Sequence, residues 1–164
     1  MANPVPNDLD KAAAAKSVND YMNHYIAALD SKAGLFLAGN VAAASLLLQQ
    51  WPHDVVGRVA AVASITFFAV STYAAGSVIM PRVPPCGSSV IFWGDVARDP
   101  DAAAYAKRFD EVVNAGRLDD QYSFQNYCSA RVMQRKFIWL RLSIYFFFAA
   151  LVTGFIAYLW KSPA

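Results

Sequence analysis

The feature that most constrains this chain is the segment from Val59 to Met80, 22 consecutive residues without Asp, Glu, Lys, Arg or His. A hydrocarbon core about 30 Å thick is crossed by roughly 20 apolar residues in a helix. A soluble helix of this length normally turns a polar face to water, so a buried helix of a soluble bundle explains the segment less well. We therefore predict a transmembrane helix at residues 59–80.

Two further apolar runs have the same character. Residues 142–160 carry no charge, and residues 33–50 contain Asn40 as the only strongly polar residue before the terminal glutamines. Trp51 follows the first run, and Trp is favoured at the membrane interface. Only 16% of the chain is charged, against about 25% in an average soluble domain. The sequence thus predicts an all-α, three-span membrane protein whose long helices extend into a cytoplasmic helical bundle.

The distribution of basic residues predicts the orientation. Of the 14 Lys and Arg residues, all but Arg58 and Lys161 lie in residues 1–32 and 81–141. Cytoplasmic segments carry such an excess, so we place both segments in the cytoplasm and the C-terminus outside. Cys86 and Cys128 then share the cytoplasmic side, where reducing conditions argue against a disulfide.

The predicted cytoplasmic segments are mostly helical. One helix is predicted from about residue 9 to 49, because the arm contains KAAAAK and no breaker precedes the first span. Asp99-Pro100 predicts a helix start, with Gly116 as its end, and a last helix should run from about 120 to 160. Apolar residues at steps of three and four predict the buried faces of the two arms, Val18, Met22, Tyr25 and Leu29, then Ala130, Met133, Phe137 and Leu140.

Catalytic motifs are absent from the sequence, which contains no GxxxxGK[ST], HExxH, GxSxG or GxGxxG. His24 and His53 fall on opposite sides of the predicted membrane, so they cannot share a metal ion. We therefore expect no enzymatic activity, no cofactor and no metal site.

Binding is the remaining class of function. Phe92, Trp93, Gly94 and Asp95, with Arg98 behind them, form an aromatic and acidic cluster in a segment predicted as a loop or brief strand. Aromatic faces stack on bases with about 1–3 kcal/mol each. Alternatively, these rings close the base of the helical bundle or lie at the interface.

Asn40 also has two interpretations. Polar residues within membranes often mark function. The alternative is an interhelical hydrogen bond worth about 1 kcal/mol.

Three groups of residues resemble the Pycsar transmembrane effector family over about residues 25–160: LDSKAG at Leu29–Gly34 with Asn40, VIFWGDVA at Val90–Ala97, and Gln125, Ala130 and Lys136 before the last span. The resemblance implies an effector of bacterial antiphage defence by abortive infection. Cyclic CMP or cyclic UMP, made by a pyrimidine cyclase on infection, would activate it to impair the inner membrane. The matching positions are Asp30, Lys32, Asn40, Phe92, Gly94, Asp95, Gln125 and Lys136.

A cyclic pyrimidine nucleotide needs a cation for its phosphate, a flat surface for its base, and polar groups for the base edge. The residues predicted to supply these are Lys32, Phe92, Trp93, Asp95, Arg98, Gln125 and Lys136. Asp30, Asn40 and Gly94 are assigned to the family motif or to organising the bundle. The structural alternative is that Asp30 or Asp95 pairs with Lys32 or Lys136 to hold the helices together.

The expected partners are the lipid bilayer, the nucleotide and further copies of the chain, with no nucleic acid. Two pairs of small residues, Gly39 with Ala43 and Ala60 with Ser64, allow the close helix approach that a homo-oligomer uses. The alternative function is a non-enzymatic membrane scaffold or adaptor that binds a protein through its cytoplasmic helices.

The orientation is testable by cysteine labelling of intact cells. A membrane-impermeant thiol reagent added from outside should label a cysteine placed at Asp54 or Ser162 and spare one placed at Ala103. The reason is the concentration of basic residues around Ala103. Labelling at Ala103 from outside would reverse the predicted orientation.

Overall fold

The computed structural model describes residues 8–80 and 89–160. Those ranges contain no strand and five helices: α1 (Asp8–Gln49), α2 (Val55–Ile79), α3 (Trp93–Val96), α4 (Ala102–Asn114) and α5 (Leu118–Leu159). Helices α1, α2 and α5 are each long and apolar enough to cross a membrane. The predicted all-α, three-span fold is therefore confirmed, including the two unbroken helices that begin and end the described chain.

The chain divides into two compact units, which are described separately. We call the described residues of the first, 8–26 and 89–134, the arm unit. We call those of the second, 27–80 and 135–160, the span unit. Helices α1 and α5 each supply residues to both units.

In the span unit, α2 and α5 are joined by polar contacts that repeat every seven residues. The Ser64 hydroxyl donates to the Ala150 carbonyl at 2.7 Å, and the Ser71 hydroxyl donates to the Ser143 carbonyl at 2.8 Å. One heptad further along α2, the Val78 carbonyl accepts from Lys136 Nζ at 2.6 Å. As the residue number rises on α2 it falls on α5, so the helices are antiparallel, and the seven-residue spacing is that of coiled-coil packing. We call these contacts the α2–α5 ladder.

The interior of the span unit is built from small side chains. Ala33, Ala61, Ala74, Ala150 and Ala157 are at most 1% exposed. The bulky apolar side chains lie outside instead, among them Leu35, Val59, Val62, Phe148, Val152 and Phe155. Small residues let membrane helices approach closely, and lipid accepts large apolar groups. This distribution is therefore that of a bundle surrounded by hydrocarbon.

A close backbone approach forms the start of α2. The Asp54 side chain caps the helix by accepting from the Gly57 amide at 2.8 Å. A Cβ atom on residue 57 would lie 2.7 Å from Pro52 Cβ, so only glycine fits between the turn and the helix.

Side-chain amides join α1 and α5 in the arm unit. Asn19 Nδ2 donates to Asn126 Oδ1 at 3.0 Å, and Asn126 Nδ2 donates to the Ala15 carbonyl at 2.9 Å. Asn126 is 9% exposed. The contact between these helix segments therefore depends on paired amides as well as on apolar packing.

The predicted buried faces of the arms were partly wrong. Val18, Tyr25 and Phe137 are exposed, although Leu29 and Leu140 are buried. On α1 the inward positions in the arm unit are Ala12, Ala15, Asn19, Met22 and Ile26, again at steps of three and four. A search for apolar periodicity misses a face whose members include asparagine and alanine.

Two local predictions also need correction. Helix α4 is capped by Asp101, whose carboxylate accepts from the Ala104 amide at 2.7 Å, and not by Asp99. The Asp99 carboxylate is held by Arg108 at 2.6 Å instead. The segment before Asp99, predicted as a loop or brief strand, forms a turn at residues 89–92 and the four-residue α3. Gly116 ends α4 as predicted, with a left-handed φ of 64°.

The prediction of reduced cysteines was wrong for Cys128, which takes part in a disulfide. Cys128 is 7% exposed on α5. The other cysteine of the chain, Cys86, lies outside the described residues. The expectation relied on the compartment assigned from charge, and the sequence carries no signal of spatial proximity at Cys128.

The amide contact of the arm unit can be tested with a matched pair of asparagines. Asn126→Ala removes both hydrogen bonds of a buried amide and should lower the free energy of unfolding by about 1–3 kcal/mol. Asn23→Ala removes one exposed bond, to Asn19 within the same helix, and should change it far less. Denaturation in detergent followed by circular dichroism measures both, and equal effects would contradict this role for Asn126.

Candidate functional site

A turn at residues 89–92 precedes α3, and side chains satisfy all four of its consecutive backbone amides. The Ser89 amide donates to Asp95 Oδ2 at 3.0 Å, and the Val90 amide donates to Gln121 Oε1 at 3.2 Å. The Ile91 and Phe92 amides both donate to the Ser89 hydroxyl, at 3.2 and 3.3 Å. We call residues 89–98 the aromatic loop. Its backbone is fixed by specific acceptors rather than by a sheet or a long helix.

The aromatic loop is also held from the neighbouring helices. Val90 is 1% exposed, and its carbonyl accepts from the Tyr105 hydroxyl of α4 at 3.2 Å. Gln121 of α5 binds the amide of the same residue. Helix α4 therefore binds the carbonyl of Val90, and helix α5 binds its amide.

Asp95 is a structural carboxylate in this arrangement. It is 5% exposed, and its second oxygen accepts from Arg98 at 3.3 Å. The Arg98 side chain remains 68% exposed, so only one end of this ion pair is buried. Asp95 thus orients the turn and Arg98 together, while the guanidinium keeps donors facing solvent.

Trp93 is the exposed aromatic residue of the aromatic loop. It is 68% exposed, and its ring lies 5.7 Å from that of the half-buried Phe92. A large aromatic side chain on a fixed, solvent-facing turn is a typical binding feature.

Gln125 supplies a polar group one helical turn after Gln121. Residues four apart on a helix share a face, so Gln125 lies on the same face of α5 as Gln121, which binds the aromatic loop. Its Oε1 atom is buried and has no hydrogen-bond partner in the described part of the chain. A buried acceptor without a partner requires an explanation, and an absent ligand or water is one.

The two lysines of the predicted site, Lys32 and Lys136, lie in the span unit, as does Asp30. Lys136 is 6% exposed and donates to Asp30 Oδ1 at 2.5 Å as well as to the Val78 carbonyl. Val78 lies in the last turn of α2, whose carbonyls favour a nearby cation. One ammonium group therefore ties α1, α2 and α5 together, as the structural alternative for Asp30 and Lys136 predicted. Lys32 is exposed and has no ion pair with any described residue.

Asn40 lies at the centre of the span unit. It is 1% exposed, and its Nδ2 donates to the Ser71 hydroxyl at 2.9 Å, which in turn contacts Ser143. The interhelical hydrogen bond considered for Asn40 is thus present. Its Oδ1 atom is buried without a partner in the described ranges.

The predicted site residues fall into two groups. The arm unit contains Phe92, Trp93, Gly94, Asp95, Arg98 and Gln125, and the span unit contains Asp30, Lys32, Asn40 and Lys136. Sequence reasoning missed Ser89, Tyr105 and Gln121, which build the aromatic loop. Only Ser89 left a signal, since serine commonly accepts from amides two or three residues ahead in a turn.

In residues 8–80 and 89–160, no cluster of three or more His, Cys, Asp or Glu side chains could hold a metal ion. The aromatic loop offers an exposed ring and an exposed guanidinium, which suit a planar anion.

The model of the Pycsar effector protein domain matches residues 14–161, nearly the whole chain. The chain belongs to the Pycsar effector family. The matched residues include both α1 and α5 almost entirely and all of the aromatic loop. No curated protein and no solved structure matches this Pycsar effector.

The ion pair at Lys136 generates a stability prediction. Lys136→Ala leaves a partly buried carboxylate without its cation and should lower the free energy of unfolding. The loss should approach the roughly 3–5 kcal/mol of a fully buried pair, but Asp30 is 35% exposed and solvent will reduce it. Lys32→Ala, the exposed control two residues from Asp30, should leave stability nearly unchanged. A thermal shift in detergent measures both, and equal midpoints for the two variants would contradict the structural role.

Proposed function

We propose that this Pycsar effector is a membrane effector of bacterial antiphage defence that binds cyclic CMP or cyclic UMP and then impairs the inner membrane. The family match over residues 14–161 carries the proposal. Three helices able to cross a membrane supply the means to act on it. The aromatic loop supplies chemistry suited to a nucleotide.

The base would stack on Trp93, with Phe92 supporting that ring. Trp93 is exposed and fixed on its backbone, so little ordering is needed on binding. Stacking on an aromatic side chain is worth about 1–3 kcal/mol per base. Gln125 is the candidate for the base edge: its Oε1, buried and without a partner among the described residues, would accept from the amino group of cytosine or the ring N–H of uracil after its side chain turned toward the base.

Arg98 would bind the cyclic phosphate. Its guanidinium is largely exposed and forms one long contact, to Asp95, so donors remain for a bidentate phosphate contact. Asp95 and Ser89 would act as positioning residues, because their polar atoms already bind the turn. We assign Lys136 to helix packing, since Asp30 and Val78 occupy its ammonium group.

Self-association is the second part of the proposal. The arm unit exposes Val18, Tyr21 and Tyr25 on α1, and Phe124 and Tyr127 on α5. Large apolar groups gathered outside a membrane segment favour a protein partner. We propose a second copy of the chain, and a scaffold or adaptor role would use the same residues for a different protein.

The proposed location is the inner membrane, with the N-terminus and the aromatic loop in the cytoplasm, where the nucleotide is made. The excess of Lys and Arg supports this orientation. A disulfide at Cys128 is more typical of an oxidising compartment. The two features predict opposite compartments for the segment, and labelling at Ala103 decides between them.

Nucleotide binding can be measured by calorimetry on the purified full chain, with cyclic CMP and cyclic UMP as separate titrants. Trp93→Ala should weaken binding about 5- to 150-fold, the equivalent of one lost stacking contact, and Arg98→Ala should weaken it at least as much. Val113→Ala and Arg117→Ala change an exposed apolar residue and an exposed arginine of the same unit outside the proposed self-association surface, and both variants should bind normally. Normal binding by both site variants would place the nucleotide elsewhere. If Lys136→Ala folds normally but does not bind, the assignment of Lys136 to helix packing alone is wrong.

A further inference from the structure

Helix α1 makes fewer polar contacts with α2 and α5 than those two helices make with each other. The α2–α5 ladder has a polar contact at each of three successive heptads. Within residues 27–49, α1 makes polar side-chain contacts with the other two helices at two positions, the Asp30 ion pair at one end and Asn40. Beyond Asn40, toward residue 49, no polar contact between α1 and the other two helices is found among the described residues.

A cleft of about 310 Å³ separates α1 from that pair beyond Asn40. Its walls are mostly apolar, with Ala43 and Leu47 on α1, Phe68 on α2 and Gly154 on α5. Ser64, which belongs to the α2–α5 ladder, also faces it, and Gln50 lies among its lining residues at the end of α1.

Asn40 lies three residues, about one helical turn, before Ala43, the first residue of α1 that lines this cleft. Its amide nitrogen is used by Ser71, whereas its Oδ1, in a residue 1% exposed, has no partner among the described residues. A buried polar atom of this kind has a hydrogen-bonding capacity that the resting structure leaves unused. Water or a hydrated ion that reached this position would find an unused acceptor.

We propose that α1 separates from the α2–α5 pair to open a hydrated ion path, which runs from the Asp30–Lys136 pair past Asn40 and Ser71 to Ser64 and Gln50. In the closed state the apolar walls of the cleft exclude water, as hydrophobic constrictions do in channels. In the open state the polar groups that now bond one another line the path. This inference rests on the proposed function, because a nucleotide that binds the open state better would supply the shift.

Two cross-links that share one residue test the path. Asn40→Cys with Ser71→Cys ties α1 to α2, at side chains whose polar atoms now lie 2.9 Å apart. Ser71→Cys with Ser143→Cys ties α2 to α5, where the two hydroxyl oxygens lie 3.1 Å apart. Each pair is oxidised in proteoliposomes loaded with K⁺, and efflux is recorded with and without cyclic CMP or cyclic UMP.

The α1–α2 cross-link should lower nucleotide-triggered efflux by about tenfold or more, because it holds the proposed gate closed. The α2–α5 cross-link should leave efflux near the level of its reduced form. Reduction should restore efflux in the first protein, with the wild-type chain under the same reductant as control. Triggered efflux that survives the α1–α2 cross-link would overturn the path and leave the proposed function standing.

A second experiment on the same path needs no nucleotide. Asn40→Asp places a charge on the path, which must be hydrated and should raise basal K⁺ efflux several-fold. Ser45→Ala alters an exposed hydroxyl bonded within α1 and should not. If neither nucleotide triggers efflux in the wild-type chain, the proposed function fails. Raised basal efflux in Asn40→Asp would then still support the path, and unchanged efflux would overturn it.

Discussion

Hydrocarbon offers no hydrogen bonds, so each polar group within the spans must find its partner inside the protein. In this effector that requirement produces the α2–α5 ladder, in which side chains of one helix donate to backbone carbonyls of the other. A hydroxyl reaches a neighbouring helix's carbonyl only when the two backbones are close. Many inward positions are therefore alanine or serine, and most of the bulky apolar side chains lie on the lipid-facing surface.

The aromatic loop satisfies its backbone by a different route, because it is too short for helical or sheet pairing. Ser89, Asp95 and Gln121 provide the acceptors for four consecutive amides. Their side chains are thereby committed to structure, and Trp93 and Arg98 are left to face solvent. The division of roles follows from this: the buried polar residues of the motif hold the turn, and its exposed residues are the ones free to bind.

Much of the fold could be predicted from the sequence, because helix spans depend on local properties. The charge-free run before Met80 and the left-handed glycine at residue 116 each act within a few neighbours. The site was less predictable, since its contacts join residues far apart: Lys136 binds Asp30, and Gln121 binds Val90. Ser71 and Ser143 were missed for another reason, because serine hardly lowers the hydropathy of a span. The pairing of Lys136 was foreseen as an alternative, because a buried charge needs a partner.

The register between α2 and α5 is determined by Lys136 more than by the serines. Sliding α5 by one heptad would place Ser143 opposite Ser64, and hydroxyls would still meet carbonyls. Interhelical hydrogen bonds in membranes average only about 0.6 kcal/mol, so serines alone discriminate poorly between such registers. The slide would carry Lys136 to the level of Ser71, away from Asp30 and the end of α2. A lysine at the centre of a span costs about 2.5–3.5 kcal/mol, which exceeds the contribution of any single rung. The ion pair at the helix end, rather than the serine contacts, therefore selects the register that the structure adopts.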